Sequence, residues 1–388
     1  MTFETARPEI EPFEFRGDTY EWLGIWIVNL FLSIITFGIY SAWAKVRMRK
    51  YFYQNTWVAG RNFDYHATGL QIFIGRVIVI VGLTIYSFLA NTGPVMAVVM
   101  PLILLAVLPW LLVKALRFNA VMSSWSNVRF GFDGRAVRAF LVFILPYLGL
   151  YFLIFGGILA VALVAEFSDE NLVVVALPTL IVVAGAVLLW PFIIRLQHRF
   201  VLGNHRLGTA PFAFSSTIGP FYLAFLAMMA WIFACLVVAT MIFGAAAYAF
   251  ISGIEAGNEP EPAQVIFLII GLYAFLFIAL IPADAIYKAF IRNVLFNGTT
   301  LDNKHRLQSD MQPLRYAWIL FSNAIAVLLS LGLMLPWAHI REARYSAQHT
   351  RLLPGGSLDD FLGELAARAT ALGDAYADLE GIDIGLPL

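Results

Sequence analysis

Eight long apolar runs with few or no charged side chains constrain the fold of this chain more than any other feature of its sequence. A helix needs about 20 apolar residues to cross the roughly 30 Å hydrocarbon layer of a bilayer, and the runs have about that length or more. Because 61% of the residues are hydrophobic and only 13% are charged, a soluble globular domain is excluded. The sequence therefore predicts an all-α polytopic membrane protein. The runs are residues 22–43, 70–90, 95–113, 139–165, 171–194, 218–252, 263–287 and 316–338.

Charged residues are distributed unevenly among the connections between these runs. Three connections, residues 91–94, 166–171 and 253–263, contain neither Lys nor Arg. Cytoplasmic loops of membrane proteins carry an excess of Lys and Arg. We therefore expect the basic connections to be cytoplasmic and the other three to lie outside. The basic connections are residues 44–69, 114–138, 195–216 and 288–315.

The two ends of the apolar region repeat each other at a constant offset. Internal self-similarity of this kind is the mark of a repeat architecture. A weaker version of the motif, a proline followed by Arg and an aromatic residue, recurs at 109–118 and 191–200. The sequence therefore predicts internal repeats. The ungapped match pairs Asn29, Gly38, Trp43, Ala44, Arg47, Tyr51, Gln54 and Thr56 with Asn323, Gly332, Trp337, Ala338, Arg341, Tyr345, Gln348 and Thr350.

Alternating aromatic pairs follow the basic connections, as in Phe63 with Tyr65. Each pair comes shortly after Gly, Asn or Asp, which tolerate the positive φ angles of a hairpin turn. We predict four short cytoplasmic β-hairpins between the helices, because non-helical backbone cannot face lipid. Residues 13–16 copy a hairpin arm, and we expect them to join the hairpins in a small sheet. The turn residues are Gly60, Asn127, Gly208 and Asp302 with Asn303.

The first and last apolar runs contain a break about two-thirds along their length, at residues 36–40 and 330–336, where glycine or proline interrupts the helix. Sequence next to each run copies the cytoplasmic elements. We therefore expect six full spans, two terminal segments that enter the membrane and return, and two cytoplasmic tails.

Three regions follow from these patterns. Residues 1–21 are an N-terminal tail with a strand, residues 22–338 are the transmembrane domain, and residues 339–388 are an amphipathic segment and an acidic C-terminal helix. Ser357 and Asp360 resemble a capping box that begins this helix. Its apolar face predicts docking on the protein's own basic face, and a loosely tethered solubilising tail is the alternative.

The motifs FGIYSAWAKVRMRKYFYQNT, FDYHATG, RFGFDG and PWAHIREARYSAQHT, in this order, resemble the YjgN family of bacterial inner-membrane proteins over nearly the whole chain. The resemblance implies a multi-pass protein of the bacterial inner membrane. It implies no biochemical activity, because the family brings none that could be transferred.

No sequence motif indicates an enzyme. The chain lacks a P-loop, HExxH, GxSxG or a dinucleotide-binding glycine motif in the right setting. His198 and His205 are seven residues apart, but no carboxylate or cysteine lies near them, so hydrogen bonding is favoured over a metal site. We expect no catalytic residues, no cofactor, no metal and no nucleic-acid partner.

Pairs of Arg and an aromatic residue mark the cytoplasmic ends of the predicted helices. Such pairs could contact lipid phosphates or another anion, although snorkelling and headgroup anchoring explain them as well. They are Arg49 with Tyr51, Arg117 with Phe118, Arg199 with Phe200, and Arg344 with Tyr345. Polar residues inside the apolar runs are further candidates, because burying a charge in the membrane is costly. They are Asn29, Arg76, Asp284 and Asn323.

Two functions remain open from the sequence. The repeats favour a membrane protein that carries or gates a small solute, since many transporters are built from duplicated helix groups. The absence of a charge cluster in the predicted spans favours a non-transporting scaffold or envelope protein that recruits a partner at its cytoplasmic face. The expected partners are the lipid bilayer, anionic lipid headgroups and an unidentified protein.

Overall fold

A computed structural model of the chain describes residues 10–166, 172–257, 259 and 261–376, which form ten strands and twelve helices. Parts of the predicted N-terminal tail, of the 166–171 connection and of the C-terminal segment lie outside these residues. The strands are β1 Glu11–Phe15, β2 Thr56–Val58, β3 Arg61–Tyr65, β4 Ser123–Trp125, β5 Val128–Phe132, β6 His205–Leu207, β7 Ala210–Phe214, β8 Thr299–Leu301, β9 His305–Ser309 and β10 Thr350–Leu353. The helices are α1 Thr19–Ile35, α2 Ser41–Gln54, α3 Gly69–Ala90, α4 Pro94–Val121, α5 Ala136–Phe143, α6 Leu145–Glu166, α7 Leu172–Gly203, α8 Gly219–Glu255, α9 Pro262–Asn297, α10 Pro313–Leu329, α11 Leu335–Gln348 and α12 Leu358–Tyr376.

Five copies of one unit account for all elements except α12. Each copy is a five-residue strand, an outgoing helix, a returning helix and a strand of three or four residues. The first copy runs from β1 through α1 and α2 to β2, and the fifth from β9 through α10 and α11 to β10. In the third copy the outgoing helix is divided into α5 and α6, because Pro146 has no N–H to donate one turn back. The predicted internal repeat therefore extends from β1 to β10.

The ten strands form one closed antiparallel barrel. Each strand pairs with its neighbours in sequence, and β1 pairs with β10 to close the ring, with Pro12 opposite Arg351. The turns match the chemistry expected from the sequence: Ala59 and Gly60 both have positive φ, as do Asp302 and Asn303, and two such residues make the type I′ turn that suits a tight hairpin.

The barrel corrects the predicted fold class. An all-α membrane protein with short β-hairpins between the helices is wrong, because the four hairpins, β1 and β10 are joined in one closed ten-stranded barrel. The ring is closed by pairing between β1 and β10, which lie at opposite ends of the chain and are not joined by a turn. Isolated hairpins would leave unpaired N–H and C=O groups along their edges, whereas closure pairs them all. The apolar helices of the prediction are present beside the barrel.

Alternate residues of the strands face the barrel interior and fill it with apolar side chains. The middle inward positions of the five-residue strands form a ring of four stacked phenylalanines, with centroid distances of 6.1 to 6.4 Å, and Leu307 completes it. We call this the phenylalanine ring; its aromatic members are Phe13, Phe63, Phe130 and Phe212. Opposite them in register, the short strands contribute Val58, Trp125, Leu207, Leu301 and Leu352.

Helix α12 covers the end of the barrel where the hairpin turns lie. Leu362 and Leu365 are buried in the same core as the barrel's inward side chains, and the ring of Phe361 contacts His305 at a centroid distance of 4.4 Å. Asp359 forms an ion pair of 2.6 Å with Arg61 just after the first turn. The prediction that this helix docks by its apolar face is confirmed for its described residues.

Six helices are long and apolar enough to cross a membrane within the described part of the chain. They belong to the second, third and fourth copies, and at most 17% of the residues in their apolar windows are buried. The helix pairs of the first and fifth copies are shorter, and α1 and α10 have 17 residues each. The spans therefore rise from the barrel as three helix pairs whose outer surfaces are available to lipid. The candidate spans are Gly69–Ala90, Pro94–Val121, Ala136–Leu163, Ala176–Gly203, Gly219–Glu255 and Pro262–Asn297.

Candidate functional site: a central cavity at the membrane end of the barrel

A cavity of about 530 Å³ lies where the helices join the barrel, and residues of all five copies line it. The phenylalanine ring contributes Phe13, Phe63 and Phe130 to its wall. The remaining wall consists of helix ends and of the inward residues that begin the short strands. Because the lining comes from every copy, the cavity lies at the centre of the ring of repeats.

Returning helices of four copies contribute to the cavity lining, and α7 of the third copy contributes no described residue to it. In α4 the lining residues are Leu116, Asn119 and Ala120, which come seven, four and three residues before the first residue of β4. In α11 the residues at the same places are Ala343, Ser346 and Ala347. Residues three and four apart share one side of a helix. The same helical face is thus turned to the cavity in the second and fifth copies.

A collar of five polar residues begins the short strands at the edge of the cavity. Each collar side chain bonds the backbone carbonyl four residues earlier, at distances of 2.6 to 2.8 Å, and so satisfies an acceptor at the end of the returning helix. The collar residues are Thr56, Ser123, His205, Thr299 and Thr350. The collar side chains thus cap the C-terminal ends of the returning helices, and no separate capping loop is needed.

Arg292 of α9 is the only Arg or Lys among the cavity-lining residues. Its Nη2 donates to Thr350 Oγ1 at 2.8 Å, and its guanidinium carbon is 4.3 Å from the ring centroid of Phe296. Its Nε is buried and has no hydrogen-bond partner in the described structure. No carboxylate of the described residues forms an ion pair with it. A buried N–H left unpaired costs about 1 to 3 kcal/mol. A bound molecule that accepts a hydrogen bond from Arg292 Nε would remove this cost, which the described residues leave in place.

His205 is the second titratable nitrogen base on the cavity wall. Its Nδ1 is 2.7 Å from the carbonyl oxygen of Val201, so Nδ1 carries the proton and Nε2 is an acceptor in the neutral ring. Burial lowers the pKa of His205, against a smaller opposing effect of this hydrogen bond. The histidine is therefore neutral at neutral pH, and Arg292 is the main source of positive charge at the cavity.

Two smaller cavities of about 350 and 440 Å³ adjoin the central one. Ser346 lines all three, and Glu342 lines both smaller ones. Glu342 accepts a hydrogen bond of 2.6 Å from the Tyr316 hydroxyl. The three cavities thus share lining residues on α11, and their walls are mostly apolar with charge at a few fixed places.

The predicted Arg and aromatic pairs occupy the ends of returning helices, but their aromatic members are structural. Tyr51, Phe118, Phe200 and Tyr345 are all buried, between 5 and 7% exposed. Arg49 donates to the Tyr65 hydroxyl at 2.9 Å and to Asn119, Arg117 Nε donates to the Phe132 carbonyl at 3.3 Å, and Arg344 donates to the Gly17 carbonyl at 2.9 Å. Arg199 is exposed. The four pairs are spread around the ring and are not brought together.

The predicted intramembrane polar residues are also separate from one another. Asn323 accepts from Arg341 at 2.8 Å, whereas Oδ1 of its repeat mate Asn29 is buried without a partner. Arg76 donates to Ser41 Oγ, and Asp284 pairs with Lys288 at 2.7 Å. The contacts of Asn323 and Arg76 each join two neighbouring helices, whereas Asp284 and Lys288 pair within α9.

The described residues contain no group of three or more His, Cys, Asp or Glu side chains that could hold a metal ion. His198 lines one of the smaller cavities, whereas His205 lines the central one. The two histidines thus face different spaces, and we assign no metal to them.

Sequence reasoning missed the residue that distinguishes this cavity. Arg292 falls in segment 288–315, for which the sequence predicts a basic loop, but α9 continues without interruption to Asn297. A usable signal was present: Arg292 lies seven residues before Thr299, as Arg49 lies seven residues before Thr56. Counting back from the start of each short strand would have placed both on the inner face of a returning helix.

Comparison with known proteins gives one family and a few named relatives. The family described as "Bacterial protein of unknown function (DUF898)" matches residues 10–379. The chain is 27% identical to the inner membrane protein YjgN of Salmonella typhimurium over 365 residues, which cover 89% of this chain and 88% of the relative. It is 28% identical to the protein of that name from Escherichia coli O157:H7 over 367 residues, 90% of this chain and 89% of the relative. No solved structure matches the chain.

Proposed function

This chain belongs to the DUF898 family and is a multi-pass inner-membrane protein, and we propose that it binds a small, partly apolar organic anion in its central cavity as a step in carrying or gating that solute. The observation that supports this most directly is Arg292, a guanidinium at the cavity with a buried, unpaired Nε. The proposal assigns no chemical reaction to the cavity.

The size and lining of the cavity define the ligand class. A volume of about 530 Å³ is in the range of about 300 to 1,000 Å³ that is usual for small-molecule sites. Phe13, Phe63 and Phe130 suit an apolar body, and Asn119 can bond a polar substituent. Arg292 favours a carboxylate, because planar guanidinium N–H groups match its two oxygens. A cation would be repelled by the same side chain.

We propose that the barrel and the described chain ends face the cytoplasm. All hairpins belong to one barrel and so lie on one side of the membrane, and the basic connections carry the positive charge expected inside. Helices α1 and α10 are about 25 Å long at 1.5 Å per residue. Phe37 and Leu331, at the tips of the terminal helix pairs, are 99% and 93% exposed. Such tips suit the hydrocarbon layer, so the terminal pairs enter the membrane and return.

In this arrangement, passage of a solute is controlled at the cytoplasmic end of the barrel. Helix α12 covers it through Leu362 and Leu365, and the phenylalanine ring separates that cover from the cavity. A solute leaving toward the cytoplasm through the barrel would have to displace both. On the membrane side, few residues in the apolar windows of the spans are buried, so we propose that the solute reaches the cavity from between the helix pairs.

The test combines solute flux with metabolite profiling. Full-length protein in proteoliposomes is assayed with a panel of small mono- and dicarboxylates, chosen from the compounds that change in a deletion strain. Saturable flux is expected, and Arg292→Gln should weaken apparent affinity about 10- to 100-fold, because a hydrogen bond to a charged group contributes about 1.5 to 3 kcal/mol. Arg129→Gln, on the exposed face of the barrel, is the matched control. Absence of both flux and binding across the panel contradicts the proposal.

The second candidate is a non-transporting scaffold that recruits a protein or lipid. It is favoured by the spans themselves, because at most 17% of the residues in their apolar windows are buried and a larger assembly could cover their surfaces. Cross-linking in intact membranes separates the two candidates. A stable partner protein bound along the spans, together with no anion flux, would support the scaffold.

A further inference from the structure

A second site, independent of the central cavity, lies on the outside of the fifth copy. Arg315, Arg341 and Arg344 line one groove of about 400 Å³ between α10, α11 and the start of α1. The same groove contains Trp318, Trp337 and Tyr345, and no Asp or Glu is among its lining residues. We propose that this groove binds a phosphate group, supplied by the headgroup of an anionic phospholipid.

Existing contacts orient the arginines without neutralising them. Arg341 Nη1 donates to Ser322 Oγ at 2.7 Å and to Asn323 Oδ1 at 2.8 Å, and its guanidinium carbon is 5.1 Å from the Trp337 ring centroid. Arg344 Nη2 donates to the Gly17 carbonyl at 2.9 Å. None of the three forms an ion pair with a described carboxylate. Several N–H groups of each guanidinium are thus available to phosphate oxygens.

The nearest acidic influence on the groove is Asp18, and it is already engaged. Asp18 caps α1, where its Oδ1 accepts from the backbone N–H groups of Tyr20 at 2.8 Å and Glu21 at 3.2 Å. These hydrogen bonds are the main reason why the pKa of Asp18 is lowered, and the attraction of Arg344 is the weakest contribution. The lining of the groove thus carries three positive charges and no negative one, and the charge of Asp18 acts on it from outside.

The first copy provides an internal comparison. At the offset that aligns residue 29 with residue 323, Arg341 matches Arg47 and Arg344 matches Lys50, but Arg315 matches Glu21. Glu21 accepts a hydrogen bond of 3.1 Å from the Tyr51 hydroxyl. A carboxylate at this place would repel a phosphate. Of these two copies, only the fifth therefore has a charge that attracts an anion.

A lipid headgroup is favoured over a soluble phosphate by the surroundings of the groove. Trp318 is 62% exposed, and Leu314 and Leu328 on the same helix are 70% and 66% exposed. Tryptophan and arginine beside an exposed apolar helix surface are typical of the headgroup layer. The groove therefore opens toward lipid, where the phosphate is presented with its acyl chains along α10.

The experiment measures retained lipids. Full-length protein in nanodiscs of phosphatidylcholine with a minor fraction of phosphatidylglycerol is analysed by native mass spectrometry. The wild type should retain phosphatidylglycerol, and the double variant Arg315→Gln with Arg344→Gln should bind it about thirtyfold more weakly, since each basic residue near an anionic lipid contributes about a factor of five. Arg315→Glu, which copies the first repeat, should also lose it. Arg129→Gln on the barrel exterior is the control for loss of one charge.

Added inorganic phosphate distinguishes the two possible sources of the bound phosphate group, a lipid headgroup and a soluble phosphate. No displacement of the lipid supports a headgroup site, whereas displacement and thermal stabilisation by phosphate in pure phosphatidylcholine nanodiscs support the same phosphate chemistry with a soluble source. Equal phosphatidylglycerol retention by wild type and both groove variants, with unchanged melting temperatures and no phosphate effect, overturns the proposal.

Discussion

Pro12 on β1 and Arg351 on β10 are opposed in register, although they lie near opposite ends of the sequence. Cross-strand neighbours on one face have Cβ atoms about 4.5 to 5.5 Å apart, and this pair closes the barrel. The pairing of β1 with β10 is what makes the sheet a closed barrel and not an open row of hairpins.

The double variant Pro12→Cys with Arg351→Cys, in a Cys235→Ser background, should therefore form a disulfide on mild oxidation. After proteolysis in an exposed loop, the N- and C-terminal fragments would stay joined on a non-reducing gel. Pro12→Cys with Arg306→Cys is the control, because Arg306 lies on β9, one strand further around the barrel. Equal cross-linking in both variants would contradict the closed ring.

Removal of an apolar anchor of α12 should uncover the barrel. Leu365 is 3% exposed in the barrel core, so Leu365→Asp would bury a charge and favour the detached helix. We expect cleavage after Gly356 at least tenfold faster in limited proteolysis. Glu364→Gln, on the exposed face of the same helix, should leave the rate unchanged. A rate that is the same in all three proteins, and equal to that of the free tail peptide, would rule out docking.

Arg292→Met should stabilise the ligand-free protein or leave its stability unchanged. The substitution removes a buried, unpaired N–H, and replacing a buried charge by an apolar group is often favourable, so we expect a gain of about 1 kcal/mol in the free energy of unfolding. Arg49→Met is the matched variant at the same place in the first copy. It should lose about 1 to 3 kcal/mol, because Arg49 bonds both Tyr65 and Asn119. Thermal unfolding in nanodiscs measures both, and an equal loss in both variants would make Arg292 a structural residue.

Acidification should destabilise the protein in the range where histidine titrates. Burial lowers the pKa of His205 and of His305 below the ordinary value of 6.5. Above that value both states are neutral and these groups contribute no pH dependence. Below it the unfolded chain takes up protons first, so the free energy of unfolding falls by up to about 1.4 kcal/mol per pH unit for each group. His205→Gln should flatten part of this slope. A melting temperature that rises on acidification from about pH 7.5 to 5.5 would contradict the predicted loss of stability.

Single-cysteine labelling tests the orientation of the barrel. In a Cys235→Ser background, a membrane-impermeant maleimide should label Thr92→Cys and Glu259→Cys in intact spheroplasts. It should label Arg129→Cys only after the membrane is opened, because the positive-inside rule places the barrel in the cytoplasm. All three positions are exposed, so access to the residue itself does not limit the reaction. Labelling of Arg129→Cys in intact spheroplasts would mean that the barrel lies outside the cytoplasm and would contradict the proposed orientation.

The parts of the fold with a local signal could be predicted, and those that depend on distant partners could not. Gly60 and Asn303 marked hairpin turns because positive φ has a strong residue preference. Strand β10 has no such signal, since its closing partner β1 is at the other end of the chain. Three-residue strands such as β4 are too short to show alternation. Closure of the barrel was therefore invisible to pattern analysis.

The cavity was missed for a related reason. Basic residues interrupt hydropathy but not helical structure, so α9 continues through Lys288 and Arg292 to Asn297. Ending the helix at the last apolar residue assigned these side chains to a loop, where their direction is undefined. Once the helix is extended, its regular geometry sets which of them face the centre.

The number of copies fixes the width of the barrel. Each copy adds two strands, and the diameter of a barrel grows roughly linearly with strand number. A chain with one copy fewer would close around eight strands and a space filled by side chains, and one with an additional copy would enclose a wider lumen. Adding or removing one copy would thus change the bore of the ring by discrete steps.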